Sequence, residues 1–460
     1  MIASPEVANL IEQWLPTQRW FGGKGRQSSI ELELLASLTP APAEVTIWTA
    51  RVRYDDGSFE TYQLPLVSRE QPADTLEHVL IGTVDDGGAT RWIYDALHDK
   101  DVTQVWPQAI RDNRHDGVLH FRRSVPAESV PVDEQSLVLT GEQSNTSLMY
   151  GDVTILKVFR RLQPGINPDI EIHAALGELG GRHIARLLGF VEADVGGDTV
   201  ALAMLQEYLT TATDGWELAK ASVRDLMAEA DLHAEEAGGD FAGEAHRLGA
   251  AVAEVHQDLA AAFGVSPGRE DVTGRRIAAM RERLEHAITV VPELAGLADG
   301  LRETYRGVGA ASGPVELQRI HGDLHLAQAL RTAQRWVIID FEGEPMASFA
   351  ERRAPDSTLR DVAGMLRSFE YAGHHRLVES GFDSQLAYRA GEWAQRNRDA
   401  FCDGYAEEGG GDPRAQSALL QAYEADKAVY EAVYESRHRP NWLPIPLATL
   451  TRLAGQDAPS

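Results

Sequence analysis

An aspartate in His321-Gly322-Asp323, an amide five residues on at Gln328, and a second aspartate closing the apolar run Trp336-Val-Ile-Ile-Asp340 have the layout of a phosphoryl-transfer site. The first carboxylate, held in a loop, can accept the proton of an attacking hydroxyl. The amide and the strand-terminal carboxylate can hold a divalent metal under phosphate oxygens. Magnesium prefers oxygen ligands and keeps some of its waters, so two protein oxygens beside a triphosphate suffice. Upstream, Lys157 stands inside VTILKVF with apolar residues on both sides. A buried ammonium needs a counter-charge. Glu171, on the helix that follows, is its expected partner, and the pair would hold two phosphates of a nucleotide.

Three further stretches bear on ligands. GEQSNTS, residues 141–147, can cover phosphates with backbone N–H groups and the small polar side chains of Ser144, Asn145 and Thr146. It is not a P-loop, because no GxxxxGK[ST] occurs. Gln206-Glu207-Tyr208-Leu209 is placed by its position in the chain to hold adenine through backbone groups. Near the C-terminus, Lys427, Tyr430, Tyr434 and Arg437 fall on one helical stripe, apart from a core face of Ala425, Val429, Ala432 and Val433. Tyrosines and cations on such a stripe suit a sugar, rings against its apolar faces and polar tips on its hydroxyls. The same stripe would also suit a helix lying on another domain. His325 is placed with the acceptor. The His321/His325 pair lacks a third ligand at convincing spacing, so no zinc site is expected there.

These groups are carried by 460 residues, enough for two or three structural units. A formal net charge of −27 disfavours nucleic acid and anionic membranes as partners. The single cysteine, Cys402, excludes an intrachain disulfide framework and fits a reducing compartment. No basic leader and no apolar run of transmembrane length occur, so a cytoplasmic location is expected.

Strand-like stretches at 30–38, 44–54, 60–67 and 92–97 make residues 1–100 a small mixed domain, with Asp56-Gly57 turning a hairpin. Within it, WFGGKGR (20–26) reads either as a turn whose aromatics anchor the domain or as a basic loop near an anionic ligand. Residues 101–136 form an intermediate segment. Residues 137–209 read as a β-rich lobe with one helix near 168–179. Residues 210–460 are helical apart from the strand–loop interval that carries Asp323, Gln328 and Asp340.

With these residues in view, the chain resembles actinobacterial maltokinases, through QRWFGGKGR, HGDLHLAQ with IIDFEGEP, and DKAVYEAVYESRHRPNWLPIPL. More distantly, HGDxxxxQ with a strand-terminal Asp is similar to the aminoglycoside phosphotransferase and choline kinase group. The resemblance implies an α+β, bilobal, protein-kinase-like fold with an N-terminal cap. It implies the transfer of phosphate from ATP, with Mg2+, to the anomeric hydroxyl of maltose, the product feeding α-glucan or glycogen synthesis. It implies Asp323 as general base, Gln328 and Asp340 as magnesium ligands, Lys157 with Glu171 on the phosphates, and Lys427, Tyr430 and Tyr434 at the sugar. It also implies a monomer with a possible association with trehalose synthase. Ala327 and Ala329 stand where glycine and valine are expected, and neither change removes a ligand. Two competitors are a kinase of another sugar, such as glucosamine, with Glu424 or Glu431 receiving the amine, and an idle scaffold for a trehalose-processing assembly. Joint retention of Lys157, Asp323, Gln328 and Asp340 argues against the scaffold.

Overall fold

The computed structural model describes residues 5–38, 43–139, 144–228, 233–234, 239–268, 270–310, 315–344, 347–380 and 384–455. The chain divides into two compact units, Met1–Gly177 with Ala185–Thr210, and Glu178–Ile184 with Thr211–Ser460.

The first unit holds helices α1 (Pro5–Trp14), α2 (Val105–Arg111) and α3 (Pro168–Glu178) and two antiparallel sheets. One sheet orders β1 (Ser28–Leu38), β2 (Val45–Tyr54), β3 (Phe59–Arg69), β4 (Leu80–Asp86) and β5 (Ala89–Asp95) as β1-β2-β3-β5-β4. The other takes β6 (His115–Asp116), β7 (Leu119–Arg123), β8 (Ser136–Leu139), β9 (Asn145–Tyr150), β10 (Thr154–Phe159), β12 (Leu187–Val195) and β13 (Asp198–Glu207), ordered β6-β7-β12-β13-β10-β9-β8. Strand β11 (Arg161–Leu162) leaves the end of β10 and pairs with β3, Arg161 opposite Tyr62.

Buried polar contacts reinforce that crossing. Gln63 Nε2 donates to the carbonyls of Phe159 and Leu202, and Arg160 forms a fully buried ion pair with Asp95 at 2.5 Å. The Arg160 guanidinium also lies 4.6 Å from the Trp20 ring centroid. Phe21 is buried, the Gly22 amide donates to the Tyr62 hydroxyl, and Arg26 pairs with Asp56. The aromatic residues of WFGGKGR therefore act as anchors of this unit.

The second unit is built on α4 (Gly215–Ala228), α5 (Ala242–Phe263), α6 (Glu270–Val290), α7 (Ala298–Ala310), α8 (Phe349–Arg353), α9 (Leu359–His374), α10 (Leu377–Ser380), α11 (Ser384–Tyr405), α12 (Ser417–His438) and α13 (Pro444–Leu453). Its strands are β14 (Thr213–Asp214), β15 (Val265–Pro267), β16 (Glu316–Gln318), β17 (Ala329–Arg331) and β18 (Trp336–Ile338). Helix α9 is buried over most of its length, and its Arg367 pairs with Glu431 of α12 at 2.7 Å. Glu424, also on α12, is buried and bonded to Arg398 at 2.6 Å.

Helices α5 and α11 touch backbone to backbone. A Cβ on Gly249 would stand 2.1 Å from the Phe401 carbonyl oxygen, and one on Gly404 would stand 1.9 Å from that of His246. Gly404→Ala must push the helices apart, an overpacking cost of about 1–3 kcal/mol that exceeds the gain of about 1 kcal/mol in helix propensity. Gly391 lies on the same helix with nothing within 4 Å of its added Cβ. Thermal unfolding should therefore show a lowered Tm for Gly404→Ala and an unchanged or raised Tm for Gly391→Ala.

Candidate active site

In the first unit, Lys157 lies on β10 opposite Ser147 of β9 and Met204 of β13. Its ammonium meets Asp169 Oδ2 at 3.1 Å, with both side chains buried. Asp169 is thus a counter-charge of Lys157 that lies two residues before the expected Glu171. Two residues on a helix differ by about 200° in direction, so the buried turn of α3 presents Asp169 to the strand while Glu171 is only half-buried. Asn167 caps this helix by accepting from the amides of Asp169 and Ile170. Burial alone would raise the Asp169 pKa. The Lys157 ammonium and the His173 imidazole at 3.0 Å outweigh it and hold the carboxyl well below the usual range.

Of the stretch expected over phosphates, residues 141–143 lie outside the described residues. Asn145 opens β9, and Ser144 precedes it as an exposed bend. Thr146 is corrected to a structural role, because it is buried and its hydroxyl accepts from Arg160 Nε at 2.8 Å. In the adenine stretch, the amides of Glu207 and Tyr208 already donate to the carbonyls of Arg186 and Val153. Gln206 Oε1 is buried with no hydrogen-bond partner among the described residues.

The second unit carries the loop with Asp323. Asp361, near the start of α9, accepts from the backbone amides of His321 and Gly322 at 2.8 Å each and from His256 Nε2 at 3.1 Å. His256 Nδ1 contacts the Tyr405 hydroxyl, and its carbonyl accepts from Gln318. His321 Nε2 donates to the Ile339 carbonyl, which leaves Nδ1 to accept from the Asp323 amide. The loop is thus held from beneath by a buried carboxylate and from one side by an imidazole. Burial pushes the Asp361 pKa up, but the His256 contact and the amide dipoles hold it below the ordinary value.

Asp323 Oδ1 accepts from Lys427 of α12 at 2.9 Å, and the same ammonium reaches Glu344 Oε1 at 3.0 Å. The two carboxylates keep the Lys427 pKa well above its usual value against the opposing effect of burial. Gln328 ends a short 3-10 turn, and its Nε2 donates to Asp340 Oδ2 at 3.1 Å. Asp340 has a φ of 64°, a left-handed conformation that non-glycine residues adopt at an energetic cost and that clusters at functional sites. The side-chain donor atoms this pair could offer a metal, the Gln328 carbonyl oxygen and the Asp340 carboxylate, are oxygens, although it is the Gln328 nitrogen that faces Asp340 here. That donor set fits Mg2+.

Beside Asp323 opens a cavity of about 400 Å³. Its walls include Arg276 and Arg283 of α6, Glu344, Asp356 and Arg360, and Tyr423, Asp426, Lys427 and Tyr430 of α12. Lys427 and Tyr430 are where the helical stripe placed them. Tyr434, Arg437 and His325 lie outside the wall of this cavity. Tyr434 is 42% exposed one turn further along, its ring 4.7 Å from that of His438. Arg437 is exposed, and burial lowers the pKa of His325, whose charged neighbours include Asp323, Lys427 and Asp340. Tyr423 and Asp426 were missed. With Lys427 and Tyr430 they make the spacing i, i+3, i+4, i+7, the same stripe followed toward the N-terminus of the helix.

The second unit thus holds an aspartate on a braced loop and an amide–carboxylate pair of oxygen donors, and the first unit carries a buried lysine on a strand. Residues 14–99 match the maltokinase N-terminal cap domain family. A glucosamine kinase of Streptacidiphilus jiangxiensis is 30% identical over 68% of this chain and 72% of its own length. A second glucosamine kinase, from Mycolicibacterium smegmatis, is 30% identical over 68% of this chain and 78% of its own. Among solved structures, a glucosamine kinase in complex with glucosamine, ADP and inorganic phosphate superposes with a TM-score of 0.69 at 24% identity, covering 98% of this chain and 100% of that one. The chain belongs to the family of sugar kinases that includes the Streptacidiphilus and Mycolicibacterium proteins. Among the described residues, no helix is long and apolar enough to cross a membrane.

Proposed function

We propose that this sugar kinase transfers the γ-phosphoryl group of ATP to the anomeric hydroxyl of maltose, giving maltose 1-phosphate and ADP. The observation that carries this reading is the state of the carboxylates around the cavity beside Asp323. Glu344 is paired with Lys427 and Arg360, Asp356 with Arg276, Arg360 and the Tyr423 hydroxyl, and Asp426 with Arg283. Glu351 caps α8 through Ser348, and Asp361 is bonded to the loop. A neutral acceptor meets this wall without displacing a cation, whereas an ammonium would have to compete with one. The carboxylates expected for an aminosugar, Glu424 and Glu431, are bonded to Arg398 and Arg367 and do not line the cavity.

In the transfer, the acceptor oxygen attacks the γ-phosphorus, the bond to the bridging oxygen of ADP breaks, and the hydroxyl proton passes to Asp323. Lys427 holds Asp323 by one oxygen and leaves the other toward the acceptor. Lys157, oriented by Asp169, aligns the phosphates, and the unpartnered Gln206 oxygen suits the exocyclic amine of adenine. Gln328 and Asp340 would hold Mg2+, which neutralises phosphate charge when bound. For a two-ring sugar, Tyr430 lies against the reacting ring and Tyr434, one turn outward, against the second.

The alternative acceptor is glucosamine, which the 30% identity to two glucosamine kinases favours. ADP release measured with maltose and with glucosamine, and phosphorus NMR of the product, separates them. Maltose should have the higher kcat/KM and give an anomeric phosphate. Tyr434→Ala should raise the KM for maltose by roughly fivefold or more, a contact of about 1 kcal/mol, and leave that for glucosamine unchanged. A higher kcat/KM for glucosamine would replace maltose as the acceptor and leave the kinase chemistry standing.

A further inference from the structure

The hairpin β6–β7 closes one end of the seven-stranded sheet. Gly117, at a φ of 62°, lets the chain turn back within two residues, and His115 and His120 become direct cross-strand partners. Phe121 donates its amide to the Arg114 carbonyl, so the two histidines occupy the closer, non-hydrogen-bonded type of pair. Their Nδ1 atoms are 2.8 Å apart. On the other side of its ring, His120 Nε2 lies 3.1 Å from Asp194 Oδ2. Asp194 is fixed in turn, its amide donating to the Val118 carbonyl and its second oxygen accepting from Thr199.

A carboxylate can only accept, so it selects the His120 tautomer with hydrogen on Nε2 and a lone pair on Nδ1. The facing Nδ1 atoms then share one proton. A carboxylate behind an imidazole with its other nitrogen turned toward a second imidazole is the outer arrangement found behind metal-bound histidines. We propose that His115 and His120 bind one divalent transition-metal ion of the zinc class through their Nδ1 atoms, with Asp194 orienting the second ring and water completing the coordination. As the ion enters, His115 moves its hydrogen from Nδ1 to Nε2, so both Nδ1 lone pairs face the metal and both imidazoles bind as neutral ligands. Two Zn–N bonds of about 2.0–2.1 Å at a tetrahedral angle set the nitrogens about 3.3 Å apart. The pair would open by about half an ångström, within reach of side-chain rotation on an exposed hairpin. Imidazole nitrogens favour zinc-class ions, whereas the oxygen set at Gln328 and Asp340 favours magnesium, so the two sites would fill independently.

The test uses the untagged full chain, stripped with EDTA and returned to saturating Mg2+, titrated with Zn2+ by calorimetry. One saturable equivalent is expected. His115→Ala and His120→Ala should each weaken it by more than 100-fold, and Asp194→Asn by about tenfold, the effect typical of losing an orienting carboxylate. In the unmutated protein, nitrogen NMR should show the two Nδ1 resonances moving with Zn2+, a readout independent of any variant. No saturable binding, an equivalent that survives the double alanine variant, or unmoved Nδ1 resonances would each overturn the site.

Discussion

Asp323→Asn is expected to lower turnover by about 10²–10⁴-fold, the usual contribution of a positioned general base, while nucleotide affinity stays close to that of the unmutated protein. The substitution keeps size and shape, and Lys427 keeps its second carboxylate at Glu344, 3.0 Å away. What is lost is the ability to take a proton as the sugar oxygen attacks, an interaction made in the transition state and not in the bound ground state. Turnover is followed by ADP release and nucleotide affinity by calorimetry. Near-normal turnover would remove Asp323 from the role of base.

Asp361→Ala should damage the protein in two ways at once. The amides of His321 and Gly322 and the imidazole of His256 would lose their common acceptor in a buried site. Breaking such an arrangement by removing one partner costs about 3–5 kcal/mol. The loop would also lose its brace, so activity should fall at temperatures where the variant is still folded. Denaturant unfolding at pH 7 measures the first effect, and kcat at low temperature the second. The sign of the pH dependence follows from the lowered Asp361 pKa. A carboxyl with a folded-state pKa below its unfolded value stabilises fully above about pH 4 and loses that contribution as pH falls through the folded value. The fall in stability below about pH 4 should therefore be shallower in Asp361→Asn than in the unmutated protein. An Asp361→Ala variant of unchanged stability would show that the amides find other acceptors.

Much of the candidate site could be picked out of the sequence because its residues are close together in the chain. Asp323, Gln328 and Asp340 lie within eighteen residues, and the strand around Lys157 announces itself by apolar neighbours on both sides. Asp169 as a partner of Lys157 was harder to read, since Asp169 and Glu171 are both acids on one helix and local sequence does not show how each faces. The stripe on α12 had the right period, but its extension ran outward to Tyr434 and Arg437 when the cavity wall runs inward to Tyr423 and Asp426. Asp361 and the arginines of α6 belong to long-range contacts that no local pattern encodes. In the fold, β4 escaped notice because LIGTVDD is mostly exposed and lacks alternation. Strand β11, two residues long, exists only through its pairing with β3.

That short strand makes the first hundred residues something other than a detachable module. The region matched by the cap family ends at residue 99, yet its sheet is completed by Arg161–Leu162, from the far side of the lysine strand. Excising the cap would leave Arg160 without Asp95, strip Gln63 from two buried carbonyls, and open a strand edge within a few residues of Lys157. A truncated kinase would inherit an uncompensated charge and an aggregation-prone border in place of a clean terminus. The boundary at which proteolysis or gene fusion could cut without injury therefore does not coincide with the boundary at which sequence similarity stops.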